Sequence, residues 1–147
     1  MNPPRLSSET VHASTVAIDG RAVLITGPSG SGKSDLALRL LDRGFTLVSD
    51  DQTIVRREDD RLIASPPPNI AGKLEIRGIG IVEMDHVADV PVALLVELTS
   101  DIQRLPDDNP ERPILDVTLP LVSIDAMAAS APSKVAVALD RMGLKLQ

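Results

Sequence analysis

Eight residues carry the strongest chemical signal. Gly27-Pro28-Ser29-Gly30-Ser31-Gly32-Lys33-Ser34 fits the pattern G-x-x-x-x-G-K-[ST] at every specified position. At ordinary residue frequencies, a chance match in a chain of this size is on the order of one in several hundred. Glycines let a backbone curl so that consecutive N–H groups converge on one centre, which suits a polyphosphate. Lys33 supplies a cation for the β- and γ-phosphates, and the Ser34 hydroxyl is a hard oxygen ligand for Mg²⁺. Read blandly, the same residues are a Gly/Ser-rich turn with no ligand.

Carboxylates form the second group. Asp50 and Asp51 close an apolar run that follows the loop. One could hold Mg²⁺ through water while the other takes a proton from an attacking hydroxyl. They are equally readable as an acidic turn before Thr53. Glu75 and Arg77 lie in Leu74-Glu75-Ile76-Arg77-Gly78-Ile79-Gly80-Ile81 and share a face if that segment is one strand. A carboxylate and a guanidinium suit Mg²⁺ and phosphate; the alternative is a solvated strand face. His12 stands alone before the loop, and lone histidines are more often structural. His86 receives no role.

The elements that must position these groups follow from pattern. Val11 to Ile18 and Ala22 to Thr26 read as strands joined by Asp19-Gly20, a pair suited to a type I′ turn. Ser34 to Leu41 has helical spacing, with Gly44 just beyond it. Phe45 to Ser49 reads as a strand. In a parallel α/β unit its end shares an edge with the phosphate loop. Thr53–Val55 and Leu62–Ala64 form a second hairpin around Glu58-Asp59-Asp60. Leu74 to Val82 alternates as a strand, although Gly78 and Gly80 suggest a bend. Val92 to Leu98 is a buried strand. Gln103 to Pro113 is a proline-punctuated loop. Leu115–Leu119 and Val122–Ile124 are strands, and Lys134 to Arg141 is a helix.

Composition narrows the classes. The 147 residues match one unit of about 150 residues. The expected organisation is a flexible arm over 1–9 and one phosphotransfer domain over 10–147. A net charge of −6 disfavours a general nucleic-acid binder. With Phe45 the only aromatic, base-stacking platforms are disfavoured too. The absence of cysteine excludes disulfides and thiolate metal sites. No apolar run reaches membrane-spanning length and the first residues do not resemble a signal peptide, so no membrane partner and a cytoplasmic location are expected.

Three segments together resemble the catalytic domain of the HPr kinase/phosphorylase family: Val11-His12 with its hairpin, LITGPSGSGKSDLALRLLDRGFTLVSDD, and LEIRGIGIVEM. Residues 10–84 carry most of the likeness. The resemblance implies an α/β fold, with a P-loop nucleotide-binding core of the HPr kinase and phosphoenolpyruvate carboxykinase-like type and a mixed sheet with flanking helices. It implies ATP and Mg²⁺ as cofactors, an HPr-like phosphocarrier protein as the serine acceptor, and a homo-oligomer, hexameric in the family. By position, Asp51 would be the proton acceptor, with His12, Lys33 and Arg104 as further active-site groups. Ser34, Glu75 and Asp50 would serve the metal. Family members are about twice this length, with a further N-terminal domain. Their late arginine-containing loop falls near Ala131-Pro132-Ser133-Lys134, which holds Lys134 and no arginine. Lysine cannot grip phosphate bidentately, so a weak phosphorylase direction is expected. Rival readings are a nucleotide-sensing module without transfer and a P-loop small-molecule kinase.

Overall fold

The computed structural model describes residues 7–102 and 110–146. Its centre is the strand Val90–Leu98, in which seven of nine residues are buried. A run this apolar must be covered on both faces. In chain order the strands are β1 (Ser8–Val11), β2 (Ala13–Ile18), β3 (Arg21–Thr26), β4 (Thr46–Ser49), β5 (Thr53–Glu58), β6 (Arg61–Ser65), β7 (Lys73–Ile76), β8 (Gly80–Glu83), β9 (Val90–Leu98), β10 (Glu111–Ile114) and β11 (Val117–Ile124). The helices are α1 (Lys33–Leu41) and α2 (Ala131–Met142).

Strand direction decides where the chemistry can sit. β9 pairs in parallel with β3 and with β11. β2 is antiparallel to β3 and also to β4. Two reversals make β4 run with β3, although the two are not neighbours. The carboxyl ends of β3, β4, β9 and β11 therefore share one edge with the amino end of β2. Beyond β9, the order β6-β5-β1 extends the sheet, and β10 caps β11. The sheet is mixed, as the resemblance implies.

Each face has its own aliphatic core. On one, Leu36, Ala37 and Leu40 of α1 and Val135 and Leu139 of α2 pack on Val16, Val23, Ile25, Leu94 and Val96. Phe45 joins this cluster. On the other, Val55, Leu62, Val117 and Leu119 close over Leu24, Val48 and Leu95. Leu94 and Leu95 serve opposite cores because consecutive strand side chains point to opposite faces.

Several expectations are corrected. Val11 to Ile18 is two strands, broken at His12: β1 leaves for β5, while β2 stays with β3 and β4. Ser8 and Glu9, expected in the arm, pair with Arg56 and Val55. Leu74 to Val82 is not one strand. It folds back as the β7–β8 hairpin, with Gly78 and Gly80 at positive φ and Ile79 N–H donating to the Ile76 carbonyl. Arg77 thus lies in the turn and does not share a strand face with Glu75. Glu111–Ile114 is a strand, not loop; Pro113 is tolerated there because β10 bonds only β11 among the described residues. Leu115 and Asp116, both at positive φ, form the turn between them. Ala131-Pro132-Ser133-Lys134 is the first turn of α2 rather than a loop. The Asp19-Gly20 turn has positive φ at both residues, as a type I′ turn requires.

Candidate active site

The Gly27–Ser34 loop joins β3 to α1 at the shared sheet edge. Gly27 has φ 156°, and a Cβ there would stand 2.6 Å from Ser31 Oγ and 3.2 Å from Leu98 Cβ. Gly32 caps α1 in the left-handed conformation, with no side-chain cap bond. The first amides of a helix lack intrahelical partners, so this end presents N–H donors and partial positive charge. Lys33 is buried and donates to the carbonyls of Gly27 (2.9 Å) and Pro28 (3.0 Å). An ammonium has three N–H donors, so one remains. Ser31 Oγ is buried with no hydrogen-bond partner among the described residues.

Asp50 ties three elements together. Its Oδ1 accepts from Ser34 Oγ of α1 (2.6 Å) and from Ser14 Oγ of β2 (2.8 Å). Its Oδ2 accepts the Glu75 N–H of β7 (3.2 Å). Asp50 is 7% exposed, so these three donors replace water around its carboxylate. This bond brings the β7–β8 hairpin to the loop. The Glu75 side chain itself stays exposed beside the buried Leu74.

Asp51 points elsewhere. At φ 67° its backbone is left-handed, and its carboxylate turns toward solvent. Asp51 Oδ1 lies 2.7 Å from His12 Nε2, with both side chains about half exposed. An ionised carboxylate can only accept, so Nε2–H donates in that state. The Asp51 N–H donates to Ser14 Oγ (3.1 Å). Below this layer, Thr15 Oγ1 donates to Thr53 Oγ1, which donates to the Ala13 carbonyl.

His12, Lys33, Ser34, Asp50, Asp51 and the Glu75 backbone therefore meet at one edge, with Gly27, Pro28, Ser29, Gly30, Ser31 and Gly32 forming the adjoining loop. Arg104 lies outside the described residues. Ser14 was missed by sequence reasoning. A serine in an apolar strand has no local signal, and its pairing with Asp50 and Asp51 exists only once β2 and β4 are registered.

The donor set fits Mg²⁺. Hydroxyl and carboxylate oxygens are hard ligands. Among the described residues, no three His, Cys, Asp or Glu side chains cluster as a metal site. Mg²⁺ usually takes only one or two protein groups and fills its shell with water and substrate phosphates, so a sparse set is what it accepts. The unpartnered Ser31 hydroxyl inside the loop likewise fits a phosphate oxygen.

Comparison with known proteins gives the family of the chain. A family model described as HPr Serine kinase C-terminal domain matches residues 5–145. The HPr kinase/phosphorylase of Latilactobacillus sakei is 38% identical over 128 residues, covering 78% of this chain and 41% of that protein. The corresponding protein of Geobacillus thermodenitrificans is 41% identical over 127 residues, again 78% of this chain and 41% of the relative. The chain thus spans about two fifths of the length of these relatives. The Hpr(Ser) kinase/phosphatase from Coxiella burnetii superposes with a TM-score of 0.79 at 30% identity, covering 90% of this chain and 88% of that one. The chain belongs to the HPr Serine kinase C-terminal domain family.

Proposed function

We propose that this chain is the phosphoryl-transfer unit of an HPr serine kinase, moving the γ-phosphoryl group of ATP to a serine hydroxyl of an HPr-like phosphocarrier. One observation carries the reading. Asp50 binds the phosphate-loop Ser34 and the signature-hairpin Glu75 amide at once, while its neighbour Asp51 stands free of that knot beside His12. Adjacent carboxylates thus hold different surroundings, as different roles require.

In this mechanism the 27–34 loop is the P-loop, and its amides, with Lys33, hold the ATP phosphates. Ser34 and Glu75 would hold Mg²⁺, and Asp50 orients Ser34. The ion would offset phosphate charge and keep the transferred group in line. Asp51 takes the proton from the acceptor serine as its oxygen bonds to the γ-phosphorus and ADP departs. His12, donating to Asp51 Oδ1, keeps that carboxylate aimed. In reverse, the same proton returns to the serine oxygen. We read the chain from β1 (Ser8–Val11) onward as one unit of this kind, assembling with other copies as the family resemblance implies.

Labelled ATP with HPr from the same organism, read by mass spectrometry, should give phosphoserine on HPr. Nucleotide binding without phosphoserine would overturn the reading in favour of a sensing module. Phosphorylated HPr with inorganic phosphate should release pyrophosphate slowly, since the first turn of α2 carries Lys134 where the resemblance expects an arginine loop. Rapid release would refute that second arm.

A further inference from the structure

Ser14 belongs to none of the motifs that mark this site. Its side chain is fully buried at the start of β2. Its hydroxyl makes two bonds of opposite sense, donating to Asp50 Oδ1 at 2.8 Å and accepting the Asp51 N–H at 3.1 Å. A hydroxyl has one donor and two acceptor sites, so both bonds form together. The partners are consecutive residues with different surroundings. Asp50 is buried and held by three donors, whereas Asp51 is open to solvent at φ 67°. A left-handed conformation is unfavourable for a non-glycine residue, less so for Asp, and persists only where neighbours hold it. The turn is also closed by Gln52 N–H donating to the Asp50 carbonyl at 2.7 Å.

We propose that Ser14 is a positioning residue for the candidate base. Its hydroxyl fixes the Asp51 backbone against the Asp50 carboxylate. The Asp51 side chain is thereby kept beside His12 and directed outward, where an acceptor hydroxyl can approach. His12 is the break between β1 and β2 and Ser14 lies two residues on, so one short segment governs Asp51 from both its side chain and its amide. This inference deepens the kinase reading and rests on it for its catalytic consequence. The hydrogen-bond geometry is independent of that reading.

Ser14→Ala removes donor and acceptor without adding bulk. Asp51 loses its amide acceptor, while Asp50 keeps Ser34 and Glu75. In the ¹⁵N-labelled chain, the Asp51 amide should exchange with solvent at least about tenfold faster, while the β2–β3 ladder keeps its protection. With ATP and HPr, kcat should fall about tenfold or more, with nucleotide Kd changed less than about threefold. In an Asp51→Asn background, the same substitution should add no further loss of kcat, because the residue it positions is already disabled.

Unchanged Asp51 exchange overturns the inference whatever the activity. So does a general loss of protection across β2–β3, which would make Ser14 an ordinary core residue. Losses that multiply in the double variant also overturn it. A parent protein inert toward HPr refutes the kinase reading instead, and the exchange measurement then decides the role of Ser14 alone.

Discussion

At the scale of single residues, the site separates two neighbouring carboxylates by hydrogen bonding. Asp50 is enclosed, and removing its carboxylate would leave the Ser14 and Ser34 hydroxyls and the Glu75 amide without their acceptor together. Asp51 has only His12 at its carboxylate among the bonds described above. Asp51→Asn keeps the shape and the amide bond to Ser14 but removes the proton acceptor. We expect phosphoryl transfer to HPr to slow by about 10²–10⁴-fold, the range for losing a general base, with nucleotide affinity nearly unchanged. Lys33→Ala should instead weaken nucleotide binding at least about tenfold and abolish transfer with it. It removes the loop's one ammonium and its bonds to the Gly27 and Pro28 carbonyls. Calorimetric titration and a phosphoserine assay on the two variants separate these outcomes. If Asp51→Asn transferred phosphate at the parental rate, Asp51 would not be the base. The types and spacings of these groups were legible in the sequence. Ser14 was not, because its importance lies in the register of β2 against β4.

At the scale of elements, the loop between β3 and α1 is shaped by contacts as much as by backbone freedom. Gly27 and Gly20 both have positive φ, but their surroundings differ. A Cβ at Gly20 meets nothing within 4 Å, whereas one at Gly27 collides with Ser31 Oγ. Gly20→Ala should therefore cost roughly 1–2 kcal/mol of stability, from the left-handed backbone alone, and leave nucleotide affinity intact. Gly27→Ala should displace Ser31 and weaken nucleotide binding at least about tenfold. Equal affinity in the two variants, measured by titration with ATP and Mg²⁺, would show that the loop tolerates the shift. Local chemistry explains why this element and the Asp19-Gly20 hairpin were readable from sequence: turn and helix signals lie within a few residues of one another. The β7–β8 hairpin was not so readable. Alternation around Gly78 and Gly80 looks the same whether the chain continues or folds back, and only the ladder from Lys73–Glu83 to Ile76–Gly80 distinguishes them. Likewise Pro113 suggested a loop, because its tolerance depends on β10 being bonded on one side.

At the scale of the molecule, two antiparallel pairings bring the ends of β3 and β4 to one edge without making them neighbours. Sequence periodicity identified the strands, but a parallel neighbour relation and this doubly reversed one leave the same local pattern. On the other side of β9, the sheet is joined to its outer strands by charge as well as by the ladder. Arg56 of β5 donates to Asp89 Oδ1 at 2.7 Å and also binds Glu58, while Ser65 of β6 donates to the same Asp89 oxygen at 2.8 Å. The Arg56 hydrogen bond, then that of Ser65, holds the Asp89 carboxyl below its ordinary value of 3.8. The Arg56 guanidinium is raised in turn, first by Asp89 and then by Glu58, and stays charged throughout the acid range. A carboxyl with a lowered folded-state pKa binds its proton more readily when unfolded. Its contribution is therefore fully present above the unfolded value and is lost as pH falls through the folded one. The group is exposed, so the effect is small and screened by salt. Asp89→Asn should lower Tm slightly at pH 6, and by progressively less as pH falls through the lowered folded-state value. The two melting curves should converge as pH drops below about 4. A constant Tm difference across that range would mean that Asp89 acts through its Ser65 contact and turn geometry rather than through its charge.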